Sequence, residues 1–97
     1  ISSGDKSILD LCFGDVYIAE RCKQNKIYWT GFDLNEHFVQ YAVDQNFNAS
    51  VKDISVLDEY PKADVCIMSG SLYHFHPNVD VVLKKMLASA PKVIISE

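Results

Sequence analysis

Short apolar segments alternate with amphipathic ones along this sequence, and that alternation limits the possible folds more than any single motif does. Residues 8–12 (ILDLC), 27–32 (IYWTGF), 63–68 (ADVCIM) and 92–96 (KVIIS) are brief apolar runs, mostly rich in β-branched or aromatic residues, and 48–52 (NASVK) is a fainter fifth. Such runs favour strands. Between them lie helical spacings. Val79, Val82, Leu83, Met86, Leu87 and Ala90 recur on one helical face, while Asp80, Lys84, Lys85 and Ser89 take the other, with Asp80 one turn before Lys84. Asn35 is placed to cap a helix carrying Phe38, Val39, Tyr41 and Ala42. Asp15 is placed to cap one that carries Val16, Ala19 and Cys22 and runs to about Lys23. A short turn or helix fits residues 55–59.

Continuous apolar strands joined through amphipathic helices predict an α/β fold: a three-layer α/β/α sandwich around a mainly parallel sheet, with right-handed connections. Such sheets bind ligands beyond the carboxyl ends of their strands, where the strand order reverses. The loops to search are therefore 12–15, 33–35, 52–54 and 69–77.

At 97 residues the chain makes a single domain, residues 1–97, able to bury about two thirds of the surface its unfolded form exposes. Its net charge is −4, and its basic residues are scattered except for Lys84 and Lys85. Without a basic stripe, nucleic acid is not an expected partner. Cys12, Cys22 and Cys66 are odd in number, sit in apolar segments and lack CxxC or CxxH spacing. That pattern points to reduced thiols in a cytoplasmic protein rather than to disulfides or zinc. No apolar run approaches the roughly 18 residues of a membrane span, and no signal-peptide pattern precedes the first strand, so no membrane is expected. The chain opens on Ile1 and stops at Glu97 just after an apolar run, and reads as a piece of something longer.

Three carboxylates and one loop can carry chemistry at the expected edge. Asp33 ends the second strand, 19 residues after Gly14, where nucleotide-binding folds set a carboxylate against ribose hydroxyls. It also suits the cap of the next helix. Asp10 lies between Leu9 and Leu11 in a strand that should be buried, where a carboxylate needs hydrogen-bond donors. It is placed to brace the following turn or to meet the cationic part of a ligand. Asp53, after the third strand, is either an adenine-amino acceptor with Ile54 packed on the ring, or an ordinary loop aspartate. The loop SGSLYHFHPN holds Tyr73, His74 and His76. Two histidines one residue apart invite a metal, but the third ligand is missing and packed loop aromatics account for them more simply. His74 is the candidate base or acceptor-orienting group, and His37 is expected in solvent.

Taken as a series, ILDLCFG, TGFDLNEHFVQYA, VKDIS, ADVCIMSGSLYHF and PKVIIS resemble the class I S-adenosylmethionine-dependent methyltransferase family over nearly the whole chain. The resemblance implies a seven-stranded sheet of order 3-2-1-4-5-7-6, of which this chain carries 3-2-1-4-5 and lacks the last two strands. It implies S-adenosylmethionine as cofactor and a small-molecule methyl acceptor. Residue by residue, Asp10 matches the acid of the first motif and Gly14 its middle glycine, while Asp33 with Leu34 matches the ribose-binding segment. Asp53 and Ile54 match the adenine contacts, Ser69 and Gly70 the backbone along the methionine moiety, and Tyr73 and His74 the acceptor side. Cys12 and Val16 stand where the family has its first and third glycines, and Asp15 precedes the latter.

Glycine permits positive φ and close backbone approach, so Cys12 is expected to crowd the methionine end of the site, and Asp15, if it caps the helix, to compete with the methionine carboxylate for the helix-end amides. The alternative to an active core is accordingly a non-catalytic scaffold of the same fold. A nicotinamide-dependent oxidoreductase, which needs a GxGxxG turn, is the less favoured third. A second copy or a partner chain is expected to cover the fifth-strand edge, since bare edges invite pairing.

Overall fold

The structure is a computed structural model that describes residues 6–13, 15–69 and 79–96. Strands and helices alternate in the order β1 (Ser7–Leu11), α1 (Tyr17–Gln24), β2 (Tyr28–Asp33), α2 (Glu36–Asp44), β3 (Asn48–Val51), β4 (Val65–Ser69), α3 (Val79–Ser89) and β5 (Lys92–Ser96). All neighbouring strands pair in parallel, in the order β3-β2-β1-β4-β5. The chain thus builds outward from β1 to β3, then returns to lay β4 against the other side of β1. This is the expected α/β sheet, and its order reverses between β1 and β4.

The two-residue period of the strands sorts side chains onto two faces. Ile8, Trp29, Val65 and Ile67 enter a core with Val16, Ala19 and Cys22 from the α1 region and Val39 and Ala42 from α2. Leu9, Leu11, Phe32, Cys66 and Met68 enter the opposite core with Val82 and Met86 of α3 and with Ile54 and Tyr60 of the β3–β4 connection. Covering on both faces is why β1 and β4 are mostly apolar, with Asp10 the buried exception in β1. Each fully buried aliphatic side chain contributes about 1.5–3 kcal/mol.

The helices bury narrower stripes than their spacing suggests. On α2 only Val39 and Ala42 are buried, and Phe38 and Tyr41, expected on the inner face, are exposed. On α3, Val82 and Met86 are buried whereas Leu87 points to solvent. A short helix packed on a sheet touches it along a narrow line of side chains, so flanking apolar positions stay outside.

Asn35 caps α2 as expected: its Oδ1 accepts from the amides of His37 at 2.9 Å and Phe38 at 3.3 Å. At α1 the cap lies one residue later than expected. Val16 is the N-cap, its carbonyl accepting from Glu20 N at 2.9 Å, while Asp15 Oδ1 accepts from Tyr17 N at 3.0 Å from just outside the helix.

Both α1 and α2 end by turning one residue left-handed, Lys26 at φ 57° and Asn46 at φ 69°. The next amide then returns to the helix, Ile27 N to Cys22 O at 2.8 Å and Phe47 N to Ala42 O at 3.0 Å. Asp64 Oδ2 accepts from the amides of Lys6 at 2.7 Å and Ser7 at 3.1 Å, tying the start of β1 to that of β4. None of the described helices is long and apolar enough to cross a membrane.

Candidate functional site

Because the strands are parallel, their carboxyl ends share one edge of the sheet. Leu11 stands level with Phe32 and Met68, and Asp33 with Val51, so Cys12, Asp33, Asp53 and the Ser69 backbone follow one another along that edge. The turn after β1 begins with Cys12, whose amide donates to Phe32 O at 2.7 Å. Cys12 has φ 56°, a left-handed torsion that costs a residue with a Cβ about 1–2 kcal/mol and a glycine nothing.

Asp10 lies in β1 two residues before Cys12, Asp33 ends the neighbouring β2, and Asp53 follows β3 beyond it. Burial first, and then those three carboxylates, push the Cys12 thiol up to about 11. The thiol therefore stays protonated at neutral pH and is no thiolate nucleophile.

Asp10 is 2% exposed, and its Oδ2 accepts from Trp29 Nε1 at 3.1 Å. The bond crosses from β2 to β1 on a diagonal, for Trp29 is level with Ile8 and Asp10 with Gly31. The indole reaches over Gly31 to make it. A Cβ at Gly31 would collide with Cζ2 and Cη2 of that ring and stand 2.8 Å from Cδ1 of Phe13, so space rather than backbone torsion requires glycine there. Phe13 and Phe47 meet the indole edge to face, at 5.1 and 5.9 Å between centroids. Burial raises Asp10 from 3.8 to about 7; the Trp29 bond pulls it down, and the charges of Asp15 and Asp33 add to the rise.

Asp33, at the end of β2, is half-buried, and its Oδ1 accepts from Asn35 N at 2.9 Å. It therefore organises the turn into α2 from the carboxyl edge of the sheet. Leu34 beside it is 61% exposed. Asp53 Oδ1 accepts from both the amide and the hydroxyl of Ser55, at 3.0 and 2.6 Å. Ile54 is 2% exposed and packs into the α3-side core, where Tyr60 donates its hydroxyl to Ile54 O at 2.9 Å. Its side chain thus anchors the loop.

Gly14, Gly70, Tyr73, His74 and His76 lie outside the described residues, and of Ser69 the backbone alone is described. Among the described residues no three His, Cys, Asp or Glu side chains gather as a metal would need.

Trp29, Gly31 and Tyr60 were not singled out by the sequence reading. A signal for the first was present: a buried indole needs an acceptor and a buried carboxylate a donor, and Trp29 and Asp10 sit on successive strands. Two clefts among the described residues lie elsewhere. One of about 150 Å³ is bordered by Tyr60, Lys62 and Lys85, and one of about 340 Å³ by Lys23, Tyr28, Trp29 and Phe47.

No protein-family model matches the sequence, and a search of curated proteins finds no match either. Solved structures do match. A S-adenosylmethionine dependent methyltransferase from Mesorhizobium loti superposes with a TM-score of 0.78 at 19% identity, over 93% of this chain and 44% of its own. The plantazolicin methyltransferase BpumL, in complex with a pentazolic desmethylPZN analog and SAH, gives 0.74 at 24% identity, over 89% and 35%. The N-terminal domain of EvdMO1, with SAH bound, gives 0.76 at 20% identity, over 90% and 40%. The chain spans less than half the length of each of these three. It has the fold of class I S-adenosylmethionine-dependent methyltransferases.

Proposed function

We propose that this chain is the core of a methyltransferase that uses S-adenosylmethionine and passes its methyl group to a small-molecule acceptor. One observation carries the reading: the parallel register sets Asp10, Asp33 and Asp53 at or just beyond the carboxyl ends of the adjacent strands β1, β2 and β3, in a sheet whose order reverses between β1 and β4. The chemistry of that set fits the cofactor. Its ribose diol and adenine amino group are donors and its methionine end is cationic, so acceptors and negative charge are what a site must supply.

Asp33 would take the ribose hydroxyls, exposed Leu34 would flank the adenine, and Asp53 would accept from the adenine amino group. Asp10 and the turn of Cys12 and Gly14 would hold the methionine end, beside the Ser69 backbone, with Ile54 fixing the loop beneath. When bound, the cofactor supplies a methyl group on a positively charged sulfur, open to in-line attack. This chain's residues contribute alignment, the main requirement of such a displacement. Tyr73 and His74 are the candidates for the acceptor side. Partly exposed Val93, Ile94 and Ile95 on β5, a strand held by β4 on one side, favour a second copy or a partner chain along its other edge.

The left-handed Cys12 favours a second reading, a scaffold that keeps the fold without the cofactor. Calorimetric titration with S-adenosylmethionine and S-adenosylhomocysteine separates the two. Saturable heat supports the methyltransferase core, and none up to millimolar ligand leaves the scaffold.

A further inference from the structure

Trp29 is the one tryptophan of the chain, and its indole does something a phenylalanine could not. Its ring fills the core between Phe13 and Phe47, a task for any large aromatic, while its Nε1–H is spent on the Asp10 carboxylate. That donation depends on the missing Cβ of Gly31, which lets the ring cross from level with Ile8 to Asp10.

The groups acting on Asp10 give the bond its weight. Asp15 from the turn and Asp33 from β2 are negative, and the thiols of Cys12, Cys22 and Cys66, from the turn, α1 and β4, are neutral. Among the described residues, Trp29 is the group that favours the ionised carboxylate.

We propose that Trp29 is a positioning residue of the cofactor site: its indole N–H fixes the Asp10 carboxylate at the end of β1 and, through it, governs how the cationic methionine end of the cofactor is held. The proposal rests on the methyltransferase reading. The Nε1–H bond keeps Asp10 charged to lower pH than burial alone would permit, so cofactor affinity rises with pH through the range where Asp10 ionises. Without the bond the same rise comes later.

The test is the pH profile of S-adenosylmethionine binding by calorimetry, from pH 5.5 to 9, in the wild-type chain and in Trp29→Phe. The substitution keeps an aromatic ring and removes the donor. Its midpoint is expected to move up by about one pH unit, with affinity weakened near neutrality and recovered at pH 9. A uniform loss at every pH, or an unmoved midpoint, overturns the proposal, because a purely structural role predicts one of these. In the Asp10→Asn background the substitution should no longer shift the profile, and a persistent shift also overturns it.

If the wild-type chain takes up no cofactor at any pH, the proposed function falls and the ligand-free chain decides the bond's role. The ¹³C carboxyl resonance of Asp10 should then titrate at higher pH in Trp29→Phe than in wild type. Equal midpoints reject positioning by Trp29. Should Trp29→Phe fail to fold, Gly31→Ala, which displaces the same indole, carries the measurement, with the same upward shift expected and an unmoved midpoint overturning the idea.

Discussion

The amide of Cys12 donates to the carbonyl of Phe32 at 2.7 Å, extending the β1–β2 ladder one residue into the turn while Cys12 itself sits at φ 56°. The turn is thus held from outside, by β2, in a shape its own residue disfavours.

Replacing Cys12 with glycine removes that torsional cost, and on the proposed function it also opens room for the cofactor's methionine end. The relief of about 1–2 kcal/mol is offset by the greater freedom glycine has in the unfolded chain. Stability should therefore stay within about 1 kcal/mol of wild type in urea denaturation, while S-adenosylmethionine binds more tightly in calorimetry. Weaker binding by Cys12→Gly would contradict a crowding role.

Asp10 makes stability depend on pH with a definite sign. Its carboxyl ionises at about 7 in the folded chain and near 3.8 when free, so between these values the folded state holds the proton and the unfolded state does not. Its contribution is complete below the lower value and declines as pH rises through the upper one, by a few kcal/mol in all. Asp10→Asn, which keeps an acceptor for Trp29, should remove this decline. Urea denaturation from pH 5 to 8 should show the variant gaining on wild type as pH increases, and parallel curves would refute the buried acid.

Gly31→Ala places a methyl group against the Trp29 ring and Phe13. Overpacking of this kind costs about 1–3 kcal/mol, more if β1 and β2 must separate. Combining it with Trp29→Leu should recover part of the loss. Strict additivity of the two in chemical denaturation would show that the side chains are not coupled.

Asp33→Asn retains an oxygen for the Asn35 amide and loses the charge. The fold should persist with an unchanged Tm, while cofactor affinity falls about 10- to 100-fold, the range of a hydrogen bond to a charged group. Unaltered affinity would remove Asp33 from the ribose site and leave it a turn-former.

The sheet was legible in the sequence because β1 and β4, covered on both faces, are mostly apolar, and β2 and β5 are short runs rich in β-branched or aromatic residues. Asn35 was legible because a cap is a local interaction, settled within three residues. Asp15 missed the cap position by one residue, since backbone geometry decided which carbonyl opens α1. The exposure of Phe38 and Tyr41 was hidden because it depends on where α2 lies on the sheet. So was the burial of Ile54, which follows from Tyr60 and α3 closing over the loop. The Trp29–Asp10 bond was hidden more deeply, because it needs the register of two strands and an empty place at Gly31 between them.

Among the described residues, three non-glycine positions turn left-handed, at Cys12, Lys26 and Asn46, while Gly31 is required only for room. Among these residues side chains sit where rotation is demanded, and Gly31 sits where volume is. A glycine pattern is therefore a poor guide to the turn after β1, whose likeness to methyltransferases lies in the path of the backbone and in the series of short segments along the chain.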